Sequence, residues 1–435
     1  MMKILPIITM LLTSWSSLSA QSRMDIEAAM AYAVENNLDV ESQRVSNEND
    51  KVEQKVAVAS LFPSLSANSS ISNSYGRSID PETNAYGSNS YINNSYGVSG
   101  SVTLFGGLAK INALKASRLR VEMGGEELQQ IKDERALQVM RLYYDAIYYL
   151  TSVELMKDQL EASRQVLQYT QKLSELGLKS EVDVALATAE VAKYELQHTQ
   201  QEGQYSETIL DLKEAMNYPL QDDFEVIDNT ANGVARCGNG FDIESDPDIR
   251  VAKMELLESE LNLRQIRGGY LPTVSLYGGF NTNYFRQLDA ESAQRIFSDQ
   301  LRDNQGYYVG LNLSVPIFNG LSRRGSVAQS RNSLRIAQID LSKKRIYITK
   351  YIEQVEMWST TSYKEYTSAE RKIEAYDLAN RAMMQRYREG LVDIIDLQES
   401  ANDLLLSKVE RLRAWLNYQI YTRLINYYCG EPLIK

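Results

Sequence analysis

Residues 95–105 read SYGVSGSVTLF. Tyr96, Val98, Gly100, Val102 and Leu104 fall on one face and Ser95, Gly97, Ser99, Ser101 and Thr103 on the other. Alternation with period two is the mark of a strand with one apolar face. Residues 306–316 repeat it, setting Tyr307, Val309, Leu311, Leu313 and Val315 against Gly306, Tyr308, Gly310, Asn312 and Ser314. Val274 to Tyr284 alternates more loosely, and Leu65 to Tyr75 more weakly still. Each run has about ten residues or more, enough for a tilted strand to cross a bilayer. Ser, Thr, Asn and Gly on the opposite face suit a wet lumen better than a core. Tyr75, Tyr91, Tyr96, Tyr284, Tyr307 and Tyr308 are candidates for an interfacial aromatic girdle. The competing reading is a soluble antiparallel sheet. It needs helices that fold back over the sheet, and the helices of this chain read as too long for that.

The two clearest strands belong to an internal repeat. Leu61-Phe62-Pro63-Ser64-Leu65-Ser66 returns as Tyr270-Leu271-Pro272-Thr273-Val274-Ser275, an offset of 209 positions. Leu104-Phe105-Gly106-Gly107 returns as Ile317-Phe318-Asn319-Gly320, Gly177-Leu178 as Gly390-Leu391, and Pro219-Leu220 as Pro432-Leu433, each offset by 213. Each half runs through a helix, two strands, a long helix, a glycine and a shorter helix. The expected organisation is repeat 1 over 21–220, with strands at about 62–76 and 90–105, a long helix over 107–176 and a shorter one over 180–217. A linker follows over 221–245. Repeat 2 covers 246–435, with strands at about 272–286 and 305–318 and helices over 321–389 and 392–428. Leu108 to Leu176 contains no proline, so as a helix it would be about 100 Å long and must be bundled against others. Val182, Ala185, Ala189, Ala192 and Leu196 mark a seam at 3,4,3,4 spacing. The twin is Ile395, Gln398, Asn402, Leu405 and Val409.

Composition removes most alternatives. The chain has 435 residues, a net charge of −11 and 43% hydrophobic residues, so it is neither disordered nor a good ligand for nucleic acid. A single histidine, His198, nearly excludes zinc sites and serine–histidine triads. Cys237 and Cys429 leave one disulfide open as a possibility in an oxidising compartment. No cofactor motif is present. Residues 1–20 read as a secretory signal peptide, with Lys3 before the apolar run Ile4 to Leu12 and a cleavage site after Ala20. No later segment has 18 consecutive apolar residues. Four membrane strands cannot close a barrel alone, and open edges are not tolerated in lipid. The chain must therefore oligomerise if its strands are in a membrane.

With these residues in view, the chain resembles the TolC family of bacterial outer-membrane factors. The resemblance rests on Met24-Asp25-Ile26-Glu27-Ala28-Ala29 with Glu35-Asn36-Asn37-Leu38-Asp39, and on Phe62-Pro63-Ser64-Leu65. Val315-Pro316-Ile317-Phe318-Asn319-Gly320 and the two Gly-Leu turns complete it, and the match runs from about Met24 to Leu433. The fold it implies is mainly α with membrane β-strands. A homotrimer would build a 12-stranded outer-membrane β-barrel, four strands per chain, continuing into a periplasmic α-helical tunnel. The implied function is a passive exit duct. Its implied partners are a periplasmic adaptor (membrane fusion) protein, an inner-membrane RND or ABC transporter and outer-membrane lipid.

The family's tunnel narrows at the turns around the Gly-Leu motifs. Carried over, the constriction maps to Asp396 and Glu399, with Asp393, Asp183 and Tyr387 around it, and Asp183 as the partner matching Tyr387. Stacked carboxylate rings would favour cations and could hold a pore-blocking divalent ion. Val392 stands where the family archetype has an arginine, and Val182 where it has a hydroxyl, so the lock between turns would be weaker or would use Arg386 or Arg388. Leu176, Gly177, Leu178, Gly390 and Leu391 would meet the adaptor. A plainer reading exists for several of these residues. Ser180 and Asp393 are candidate N-caps, Asp183 suits a helix N-terminus, and Gly177 and Gly390 suit C-caps. A periplasmic coiled-coil tethering protein without a pore is the alternative function, and a carboxylate-dependent glycosidase is the enzyme reading.

Overall fold

The computed structural model describes residues 22–79, 86–228, 240–288 and 295–434. The expected signal peptide, Cys237 and positions 229–239 of the expected linker lie outside them. The elements, in order, are β1 (Ser22–Met24), α1 (Ile26–Asn36), α2 (Leu38–Ala59), β2 (Ser64–Ile79), β3 (Tyr86–Gly106), α3 (Ala109–Glu175), α4 (Glu181–Met216), β4 (Phe224–Val226), α5 (Pro247–Gly268), β5 (Thr273–Gln287), α6 (Phe297–Asp303), β6 (Gly306–Ser314), α7 (Ser322–Arg388) and α8 (Ile394–Tyr428). The duplication shows in the backbone: α3 and α7 each have 67 residues. Both are entered through two successive left-handed residues, Gly107-Leu108 (φ 62° and 61°) and Gly320-Leu321 (φ 62° and 64°). A leucine in that region costs about 1–2 kcal/mol. Its recurrence at both strand-to-helix corners shows that the sharp reversal is held by the structure around it.

The chain divides into two compact units. One comprises Met1–Ser42, Gln129–Asp246 and Tyr347–Lys435, and the other Gln43–Leu128 and Pro247–Ile346. Each unit takes residues from both sequence repeats, because the helices α2, α3 and α7 run through both units.

In the second unit the four long strands form one antiparallel sheet, ordered β2-β3-β5-β6. Val98 pairs with Phe280, Phe280 with Tyr307 and Leu276 with Leu311, so the apolar sets of all strands share a face. That face is bare: Ile71, Tyr307, Val309 and Leu311 are all at least two-thirds exposed. Alternation breaks once, at a bulge that leaves Leu104 unpaired and brings Phe105 opposite Val274. Phe105, and not Leu104, therefore stands opposite the apolar row of β5 at this level. Tyr91 also departs from the expected girdle: it is buried, and its ring lies 4.6 Å from Phe285 on the opposite face. The strand expected to reach residue 318 ends at Ser314, just ahead of Pro316, which has no N–H to donate.

A short element that the sequence did not suggest closes part of this sheet. β5 runs on past Asn281, the last residue paired to β6. There Gln300 of α6 takes the missing strand's place. Its Oε1 accepts the Phe285 N–H at 2.9 Å and its Nε2 donates to the Phe285 carbonyl at 2.9 Å. Phe297 packs on Tyr284 and Tyr96, which anchors α6 on the apolar face. The outer edges of β2 and β6 pair with no described strand.

The first unit has its core where α1, the middle of α3, the end of α4, β1, β4 and the end of α8 meet around Met30, Met140, Tyr143, Leu212, Met216 and Leu424. The Tyr143 hydroxyl accepts the Ile227 N–H at 2.8 Å and lies 2.7 Å from the Met24 carbonyl, so one side chain ties the C-terminal ends of the two parallel strands β1 and β4 together. Burial pushes its pKa up to about 12. Cys429 caps α8 and is disulfide-bonded. His198 faces Glu202 at 3.4 Å along α4.

Candidate functional site

Two helix-to-helix turns of the first unit carry the residues that the sequence singles out. At the end of α3 the Leu178 N–H bonds to the Leu173 carbonyl at 2.8 Å and the Gly177 N–H to the Ser174 carbonyl at 2.9 Å. At the end of α7 the Leu391 N–H bonds to Arg386 at 2.9 Å and the Gly390 N–H to Tyr387 at 3.1 Å. Both are Schellman closures. Each needs a left-handed residue at its corner, and Gly177 and Gly390 supply it, both at φ 73°.

The helices that follow start from caps. The Ser180 hydroxyl accepts the Asp183 N–H at 3.2 Å, and Asp183 Oδ2 accepts the Ser180 N–H at 2.9 Å and its hydroxyl at 2.8 Å. This capping box satisfies two N-terminal donors reciprocally. The backbone bond from Ser180, then the hydroxyl bond, hold the Asp183 carboxyl below its ordinary pKa. Asp393 accepts the Asp396 N–H at 2.9 Å as the cap of α8. Asp183 and Asp393 thus hold helix ends, whereas Asp396 and Glu399 stand exposed one turn apart on α8.

Tyr387 is fully buried. The resemblance pairs it with Asp183, but its hydroxyl lies 2.7 Å from Thr170 Oγ1, which itself donates to the Val166 carbonyl at 2.8 Å. Asp183 is engaged by Ser180, and Thr170 on α3 reaches α7 directly. Tyr387 therefore presents no surface of its own in this chain and acts as a clasp between α7 and α3. Burial raises its pKa, against the Thr170 bond. Tyr169 adds a bond to the Arg388 carbonyl at 3.1 Å, and the Lys179 ammonium sits 4.7 Å above the Tyr387 ring. Val392, in the arginine's place, packs with Ile394, Leu397 and Ala187 around this clasp. Tyr169, Thr170 and Lys179 escaped the sequence reading. They carry no motif, and the pairing of Thr170 with Tyr387 spans 217 positions.

The turns present apolar side chains to solvent. Leu176, Leu178 and Leu391 are 72%, 68% and 65% exposed. The α4 stripe of Val182, Ala185, Ala189, Ala192 and Leu196 is exposed along its whole length, while Ala187, Val191 and Tyr194 are the residues that face inward. The seam expected there is thus left open by the single chain. On the twin helix Leu405 is buried. Among the described residues, no group of three or more His, Cys, Asp or Glu is gathered closely enough to hold a metal ion, and no helix is long and apolar enough to cross a membrane.

Comparison with known proteins agrees with this architecture. A model of the outer membrane efflux protein family matches residues 30–218 and 243–426. The outer membrane efflux protein BepC of Brucella suis is 20% identical over 422 residues, which cover 93% of this chain and 85% of BepC. The alkaline protease secretion protein AprF of Pseudomonas aeruginosa is 18% identical over 334 residues, covering 70% of this chain and 64% of AprF. The crystal structure of the Campylobacter jejuni CmeC outer membrane channel superposes with a TM-score of 0.81 at 16% identity, over 94% of this chain and 87% of that one.

Proposed function

The chain belongs to the outer membrane efflux protein family, and from that premise we propose that it is the passive exit duct of a tripartite efflux or type I secretion system, gated at its two helix turns. Its place is the bacterial outer membrane, and its family and fold are those of channels rather than enzymes.

One observation carries the reading furthest. A sheet that is apolar on one face and polar on the other pairs its two outer edges with no described strand, in a chain whose α4 stripe is also exposed. Unpaired strand edges cost several kcal/mol per group in lipid, so copies must join edge to edge. Four strands per chain and the family resemblance support a trimer with a 12-stranded wall. In such a ring Asp396 and Glu399 would form stacked carboxylate rings that favour cations, repel anions and admit a blocking divalent ion. Asp183, Asp393 and Tyr387 contribute by fixing the helix ends around those rings. Leu176, Gly177, Leu178, Gly390 and Leu391 would meet the periplasmic adaptor, which exposed leucines on rigid turns suit. An RND or ABC transporter would supply the cargo and the energy.

The test is single-channel conductance of the detergent-extracted protein in a planar bilayer, wild type beside Asp396→Ala/Glu399→Ala. Small cation-selective openings that enlarge and lose selectivity in the variant are expected. Unchanged channels would move the gate elsewhere. A folded oligomer without channels would overturn the duct and favour a tethering protein.

A further inference from the structure

A cavity of about 70 Å³ lies inside the first unit, where α3, α4, α7 and α8 pack together. Its lining is mixed. Val166, Leu397 and Ala401 supply aliphatic walls, and Gln159, Glu190, Tyr194, Asn380 and Gln398 supply polar groups. Two of those groups are anomalous. Tyr194 is 1% exposed, and its hydroxyl faces Glu190 and Gln159 without closing a hydrogen bond of ordinary geometry to either. Asn380 Oδ1 is likewise buried without a partner. Glu190 is engaged on its other side by Lys193, at 2.9 Å.

A buried polar group left unsatisfied is costly, and native proteins resolve such sites with partners or ordered water. Water needs roughly 10–15 Å³ of accessible space and two to four polar partners, and this cavity provides both. We propose that the cavity is a structural water site, in which ordered water bridges the Tyr194 hydroxyl on α4 to the Asn380 carboxamide on α7, with Gln159 and Gln398 as further partners. The water cluster is the polar joint between the helix pair α3–α4 and the pair α7–α8. The position has a consequence. Leu397, Gln398 and Ala401 of α8 face the cavity, and Asp396 and Glu399 lie on the same two turns. Water that can reorient keeps the polar contacts of α8 satisfied while the helix shifts. This consequence rests on the channel reading, whereas the water site itself does not.

Three measurements on the full-length oligomer in detergent test the site. A high-resolution density map should show water within hydrogen-bond distance of Tyr194 Oη and Asn380 Oδ1. A dry cavity, or a direct Tyr194–Glu190 bond, would overturn the proposal. Xenon should not enter a wet site, so xenon density there would also overturn it. Ala401→Val should displace water with methyl groups that cannot hydrogen-bond, lowering the apparent Tm by a few degrees. Adding Tyr194→Phe should recover part of that loss, because one of the two orphaned groups is gone while Asn380 Oδ1 remains. A dry cavity gives the opposite sign: Ala401→Val would raise the Tm as a filled void does. If Ala401→Val does not fold, the map and the xenon experiment still decide.

Discussion

The clasp between Tyr387 and Thr170 makes a prediction whose asymmetry follows from hydrogen-bond chemistry. Both residues are fully buried, and their hydroxyls lie 2.7 Å apart. Thr170 also donates to the Val166 carbonyl, so it keeps a bond when its partner is removed. Tyr387→Phe should therefore cost only the net value of one hydrogen bond, about 1 kcal/mol. Thr170→Val leaves the Tyr387 hydroxyl buried with nothing to bond, a loss of about 1–3 kcal/mol. The double variant removes both polar groups and should be no worse than Thr170→Val alone, with a coupling energy of about 0.5–1.5 kcal/mol. The assay is amide hydrogen exchange on the intact oligomer, read over residues 166–178 and 383–391. About 1 kcal/mol is a factor near five in an opening equilibrium, so Tyr387→Phe should raise local exchange about fivefold and Thr170→Val by more. Exchange far from the turns should not change. Equal and additive effects of the two single changes would refute the clasp, because uncoupled hydroxyls carry no such asymmetry.

Gly177→Ala and Gly390→Ala should each loosen their turn by about 1 kcal/mol, since nothing crowds either site and the loss is that of a left-handed alanine; exchange at Leu178 and Leu391 reads it. The Asp183 cap should depend on acidity. Its folded pKa lies below the ordinary 3.8, so its stabilisation is complete above that value and is lost as the pH falls through the folded one. Exchange at residues 181–184 should therefore rise only in strong acid, and Ser180→Ala should bring that rise to higher pH. Gln300→Ala strips Phe285 of both its bonds and should open the segment around α6 to protease without dissociating the oligomer, at a local cost of about 1–3 kcal/mol.

Much of this architecture is local and therefore legible in the residues. Period-two alternation follows from the pleat of a strand, so Val98, Val309 and Leu311 announced their shared face. Proline-free spans announced α3 and α7. Gly177 and Gly390 had to end helices, because only glycine enters the left-handed region without cost. Ser180 and Asp393 were recognisable as caps, because a cap acts within one turn of its own position.

What remained hidden depends on residues far apart in sequence. Asp396 and Glu399 carry no local signal of their surroundings, and only the tertiary structure shows that they stand exposed beside the capped helix end. Tyr387 reads as a gate residue until Thr170 is seen across 217 positions, and Gln300 reads as a loop residue until it stands in for a strand against Phe285. The bulge at Leu104 has no local signal, because register is decided by what lies across the ladder. Hydrogen bonds and cavities are properties of pairs and surroundings. The chain specifies each element through its own periodicity, while tertiary contact decides which polar groups are spent on holding the fold and which are left facing outward for function.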